Sequence, residues 1–187
     1  RQRQMCIRDS RWQLVWNEEF EQDGFPDPAK WRGEEGLLRN QEPQYYTIGR
    51  RENLQIKDGI LRITAKREKW LNRFHDPNSK DWRKNRPDAE FTSAQIDTFY
   101  SAAWQYGKIE ARIKVIAGTG RWPAFWTMGV TGRWPAQGEL DIMEYFGKSN
   151  NRITQALHKA GIDGKDHAVQ NSVSYTHLRA HETLMNL

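Results

Sequence analysis

From Lys108 to Val115 the chain alternates without a fault, placing Ile109, Ala111, Ile113 and Val115 on one face and charged residues on the other. A period of two marks a half-buried β-strand and does not fit the 3.6-residue period of a helix. The pattern recurs at Leu54, Ile56, Leu61, Ile63 and Ala65, arranged around Asp58-Gly59, a dipeptide suited to a tight hairpin. Further strands are expected at 12–16, 91–99, 122–129, 139–146 and 153–159, and almost no segment reads as a helix. Short strands divided by Gly, Pro, Asn and Asp clusters predict an all-β fold, an antiparallel sandwich. The polar stretch from Lys66 to Ala89 carries charges and prolines and reads as a long loop, of a kind that often shapes a binding site. A chain of 187 residues is long enough for one such domain with a real core.

Composition narrows the function. The net charge of +5 is spread, with Lys and Arg scattered among 24 acidic residues rather than gathered in a stripe, which argues against nucleic acid as a partner. One cysteine, Cys6, allows no disulfide framework. No run of about 18 apolar residues is present to span a membrane, and the polar, basic first ten residues show no signal peptide. The informative excess is nine tryptophans. Indole offers a flat apolar face and a single donor, the combination that binds the C–H face of a pyranose. The competing use of such residues is as large core side chains of a sandwich.

The segment Gly138-Glu139-Leu140-Asp141-Ile142-Met143-Glu144-Tyr145 carries the chemistry. On a regular strand Glu139 and Asp141 share a face, and Glu144, five positions after Glu139, falls on the other. A β-bulge at Ile142-Met143 returns Glu144 to the side of Glu139 and Asp141 and leaves Leu140 and Ile142 to the core. Two unit charges about 5 Å apart repel by roughly 3 kcal/mol at an effective dielectric near 20, or about 2 pKa units. Such repulsion keeps one glutamate protonated near neutral pH while another stays ionised, the division of labour a retaining glycosidase needs. Glu139 is the expected nucleophile, Glu144 the acid/base, and Asp141 the residue that hydrogen-bonds to the nucleophile and tunes the pair. An exposed acidic strand or a metal site is the alternative for carboxylates taken alone.

GELDIMEYFG resembles the signature of glycoside hydrolase family 16 in its bulged, laminarinase-type form. WNEEF at 16–20, NQEPQYYT at 40–47, RRENLQIKDGILRITAKRE at 50–68, GKIEARIKV at 107–115 and GRWPAFWTMG at 120–129 follow in the family's order. The resemblance covers about residues 11–171. It implies a β-jelly-roll of concanavalin A-like type whose long cleft cuts internal β-glycosidic bonds, with Glu139, Asp141 and Glu144 in the roles already given. It also implies substrate contacts: Trp122 and Trp126 lining sugar subsites, Trp134 stacking near the cleavage point, Asn40 beside the nucleophile and His158 near the acid/base. Gln95 departs from the arginine many members carry at that position.

The resemblance further implies a polysaccharide partner, no cofactor for the reaction, and a structural calcium on the convex side of the complete protein. A monomer is expected, secreted or periplasmic, because a large polysaccharide is met outside the cytoplasm. The leading substrate is a laminarin-like β-1,3 or β-1,3/1,4 glucan; agar, carrageenan and mixed-linkage glucan are rivals, and a non-catalytic lectin on the same scaffold is the reading from another class. RQRQMCIRDS and SVSYTHLRAHET resemble translated sequencing-adapter read-through of a metagenomic fragment. The expectation is therefore non-native tails at 1–10 and 172–187 around a partial catalytic domain at 11–171, lacking the family's later strands.

Overall fold

The structure is a computed structural model that describes residues 12–147 and 152–174. Two compact units divide at Ala102/Ala103. The first holds β1 (Arg32–Gly33), β2 (Gln44–Tyr46), β3 (Leu54–Lys57), β4 (Ile60–Ile63), β5 (Lys66–Leu71), the single helical turn α1 (Trp82–Asn85), β6 (Asp88–Ser93) and β7 (Ile96–Asp97). The second holds β8 (Ala124–Met128), β9 (Glu139–Glu144), β10 (Arg152–His158) and β11 (Val169–Ser174).

In the first unit β3 and β4 form the predicted hairpin, with Lys57 opposite Ile60. Asp58 and Gly59 both take positive φ, 54° and 69°, which matches the right-handed twist of the flanking strands. Leu54 and Ile56 are buried, whereas Ile63 on the same face stays exposed. A second sheet runs β2-β6-β5, and β1 pairs with β7. The β2–β6 pairing is parallel, a local exception to the antiparallel expectation. Leu37, Tyr45 and Ala89 form the buried core here, with Trp70 and Trp82 packed against it.

The stretch expected to be a loop from Lys66 begins instead with β5, paired antiparallel to β6. Its half-buried face is Lys66, Glu68 and Trp70, so charge hides the strand from a hydrophobic reading. Arg50 makes that face tolerable: Nη1 and Nη2 donate to Glu68 at 2.5 and 3.1 Å, and the guanidinium lies 4.6 Å from the Trp70 ring centroid. The predicted strand 91–99 is interrupted between β6 and β7, and 12–16 joins no ladder among the described residues.

In the second unit the order is β11-β10-β9-β8, all antiparallel. Met143, Tyr145 and Ile153 are its buried core, and Ile113, Val115 and Phe125 pack against them. Residues 108–115 therefore keep the predicted alternation of burial, but they join no ladder among the described residues. Alternation reports which side is apolar, while a strand assignment needs a hydrogen-bonded neighbour. β11 crosses the expected boundary at 171, because Ser172, Val173 and Ser174 pair with Thr154, Ile153 and Arg152. Backbone pairing does not depend on side-chain identity, so this stretch joins the ladder without strand-like alternation. Residues 1–10 and 175–187 lie outside the described residues.

Candidate active site

The register of β9 contains the predicted bulge. On the β10 side Thr154 faces Glu144 and Ala156 faces Asp141, so three steps along β9 oppose two along β10. On the β8 side Phe125 faces Met143 and Trp126 faces Asp141. The extra residue turns Glu144 to the face of Glu139 and Asp141, while Met143 points into the core. Gln155, opposite the bulge, donates from Nε2 to the Ile142 carbonyl at 3.1 Å, holding a group that the displaced ladder leaves over. Gly129 continues the β8–β9 pairing by donating to the Gly138 carbonyl at 2.9 Å. A Cβ at Gly129 would collide with the Gln137 carbonyl, so only glycine permits this approach just before Glu139.

Cross-strand partners share a face. Beside the three carboxylates lie Ala124, Trp126 and Met128 from β8 and Thr154, Ala156 and His158 from β10. Trp122 stands two residues before β8, and its Nε1 donates to Glu144 Oε1 at 2.8 Å. Trp134, in the turn that leads into β9, donates from Nε1 to Glu139 Oε2 at 2.6 Å. Each glutamate is thus held by one indole N–H, and each indole keeps nearly half its surface exposed, 44% for Trp122 and 49% for Trp134. His158 Nε2 lies 3.3 Å from Asp141 Oδ2, and its other nitrogen, Nδ1, lies 2.7 Å from Asp166 Oδ2. The Trp134 and His158 rings are 6.0 Å apart.

The environment favours protons on this face. Asp141 is 4% exposed. Burial, followed by the charges of Glu144 and Glu139, pushes its carboxyl up to about 7, with His158 opposing. Burial also raises Glu144, against the Trp122 hydrogen bond and the charge of His158. Burial works against the protonated form of His158, but Asp166, Asp141 and Glu139 together raise it. The proton expected on a glutamate near neutral pH therefore has a second seat, on Asp141.

Of the predicted site residues, the second unit brings together Glu139, Asp141, Glu144, Trp122, Trp126, Trp134 and His158. Asn40 belongs to the first unit, where it is exposed in a turn with φ 54°. Gln95, also there, donates to Glu34 at 2.6 Å and accepts from Arg39. The sequence reading missed Gln155 and Asp166, which follow no spacing rule, and it gave Trp122 and Trp134 only their ring faces, not their donors. Among the described residues no group of three or more His, Cys, Asp or Glu side chains gathers as metal ligands. They do not supply a carboxylate cluster for the calcium that the resemblance implies.

The chain is 37% identical over 154 residues to a β-glucanase of Rhodothermus marinus, covering 79% of this chain and 48% of that protein. The solved laminarinase from Rhodothermus marinus superposes with a TM-score of 0.70 at 34% identity, over 88% of this chain and 62% of that one. A structure from work on endo-acting O-glycanases of the human gut microbiota, which initiate mucin breakdown, superposes with a TM-score of 0.83 at 32% identity, over 89% and 60%. The chain thus spans about half the length of the β-glucanase and under two thirds of either structure. Its fold is the all-β, antiparallel jelly-roll sandwich of these relatives. The pattern of the glycosyl hydrolases family 16 matches residues 41–182, and the chain belongs to that family.

Proposed function

We propose that the protein containing this chain is a retaining, endo-acting hydrolase of internal β-1,3 or β-1,3/1,4 glucosidic bonds in laminarin-like polysaccharides. The observation that carries this is the bulge, which gathers Glu139, Asp141 and Glu144 on one face with an indole N–H on each glutamate. Glu139, oriented by Trp134, attacks the anomeric carbon and forms a glycosyl ester while the leaving oxygen takes the proton of Glu144. Glu144 then removes a proton from water, which hydrolyses the ester with net retention. Its raised affinity for a proton suits the first step, and Trp122 keeps its ionised form accessible for the second. A protonated Asp141 donates to the nucleophile and limits repulsion on the face. The exposed faces of Trp122 and Trp134 suit stacking against sugar rings, with Trp126 on the same face of the second unit.

The relatives named β-glucanase and laminarinase favour a β-glucan. The TM-score of 0.83 supports a second reading, cleavage within O-linked glycans. A polysaccharide substrate places the protein outside the cytoplasm, secreted or periplasmic, and we propose a monomer. No helix among the described residues is long and apolar enough to cross a membrane.

The test is reducing-sugar release from laminarin, with mixed-linkage glucan, agarose, carrageenan and mucin in parallel. This chain is assayed beside the same chain continued with the C-terminal part of the Rhodothermus marinus β-glucanase. Glu139→Gln is the blank in both and is expected to lose at least about 10⁴-fold in turnover. Cutting of laminarin that the blank abolishes supports the main reading, and cutting of mucin alone moves the assignment to O-glycans. Glycan binding without turnover of any substrate would leave a lectin.

A further inference from the structure

Behind the carboxylate face lies a group that the reaction as derived does not use. The segment from Lys159 to Ala168 folds back on itself between β10 and β11: Gly161 N–H donates to the Lys165 carbonyl at 2.8 Å, His167 N–H donates to the Lys159 carbonyl at 2.8 Å, and Ala160 bridges to Asp166. This fold-back directs Asp166 toward the end of β10, where Oδ2 lies 2.7 Å from Nδ1 of His158. The other oxygen of Asp166 is buried and has no hydrogen-bond partner among the described residues. The side-chain contact of Asp166 among the described residues is thus the one that Oδ2 makes to His158.

The groups that face His158 are few. From the fold-back comes Asp166, and from β9 come Asp141, at 3.3 Å from Nε2, Glu139 and Glu144. Lys159, Asp163, Lys165 and His167 of the same segment are exposed, and Asp163 and His167 lie 3.1 Å from each other. An imidazole with a carboxylate on Nδ1 keeps its proton there, because that hydrogen bond selects the tautomer. Nε2 is then the atom that exchanges a proton with whatever it faces.

We propose that Asp166 is a positioning residue of the active site, fixing His158 as the Nδ1–H tautomer so that Nε2 and Asp141 Oδ2 share one proton. This rests on the reading of Glu139 and Glu144 as the catalytic pair. When Glu139 is ionised, the proton sits on Asp141 and is donated to the nucleophile. In the glycosyl ester the negative charge lies on Glu144 instead of Glu139, and the ester is a weaker acceptor than the carboxylate, so the Asp141 proton is released from the nucleophile and passes to the histidine: its O–H bond breaks and an N–H bond forms on Nε2. Hydrolysis of the ester restores the charge on Glu139 and the proton returns. No co-reactant is needed, because one proton moves between two fixed atoms. Asp166 stabilises the imidazolium during the interval.

The test reads His158 directly. The imidazole ¹⁵N resonances of this chain, assigned with His158→Gln, report tautomer and titration without turnover; the laminarin pH–rate profile of the extended chain reports the reaction. Wild type is expected to show the Nδ1–H tautomer. Asp166→Ala should lower the His158 titration by about one pH unit or more and populate the Nε2–H form. Asp166→Asn keeps the acceptor without the charge: it should retain the tautomer and lower the titration, and it carries the test if the alanine variant does not fold. In a His158→Gln background Asp166→Ala should have no further effect on turnover. An unchanged His158 titration in folded Asp166→Ala and Asp166→Asn, or an equal loss of turnover with and without His158, would overturn the proposal. Activity that survives Glu139→Gln would instead sink the catalytic reading and leave the resonance result standing.

Discussion

Glu68 in β5, partly exposed, and Asp141 in β9, buried, are both strand carboxylates, and the protein handles them in opposite ways. Glu68 accepts two hydrogen bonds from Arg50 and one from Thr92, and these, Arg50 first, hold it down to about 2. The network extends further: Asn53, fully buried, donates to the Thr64 carbonyl and to Thr92 and accepts from Thr47 and Arg50. Arg50 and Glu68 neutralise each other, and Asn53, Thr47 and Thr92 tie them into one hydrogen-bonded network, so the region is a structural joint. Asp141 has two glutamates and a histidine for neighbours and is pushed up to about 7. A carboxylate given a guanidinium fixes the fold; one denied it becomes a group that changes protonation near neutral pH.

Arg50→Met tests the first half of this contrast and should have the largest effect on stability. Glu68 is depressed from 4.5 to about 2, so its contribution is complete above 4.5 and is lost as pH falls through about 2. The variant should unfold at lower temperature at pH 7, and the acid-induced loss seen in wild type over that window should shrink. A melting curve at pH 7 that matches wild type would break the comparison.

Asp141→Asn tests the other half and should act with the opposite sign. Because Asp141 is raised from 3.8 to about 7, the native state binds more protons than the unfolded chain between those values, and stability falls as pH rises through them. The asparagine variant should therefore be more stable than wild type at pH 8, by an amount on the order of a few kcal/mol, and close to wild type at pH 4. An equal gain at both pH values would mean that packing, not charge, is responsible.

The smallest change is expected from Trp122→Phe, which keeps a ring but removes the N–H donor to Glu144. That hydrogen bond opposes burial, so its loss should raise Glu144 further and move the basic limb of the laminarin pH–rate profile up by less than about one unit. A limb that stays in place would show that the indole contributes its face and not its donor.

β9 was legible because its residues contradict a regular strand: acidic and apolar positions agree on opposite faces only if one residue is extra. The Asp58-Gly59 hairpin was legible because its turn chemistry is local. β5 was not, since its inward face is built from Lys66 and Glu68, whose burial depends on Arg50, distant in sequence. The end of β11 was hidden for another reason, that backbone pairing leaves no mark on side-chain pattern. Gln155 and Asp166 owe their parts to a carbonyl and a ring nitrogen that folding brings near, and no spacing in the sequence announces either.

A strand with a bulge has a residue to spare. Loss of the codon for Met143 would return β9 to plain alternation and still leave Glu139, Asp141 and the following glutamate on one side. Loss of the codon for Leu140 would throw Asp141 onto the side opposite Glu139, with nothing nearby to compensate. Insertions and deletions within these six residues are thus unequal: the same carboxylate face is reachable at two gene lengths, but the slack that permits it lies at one point only.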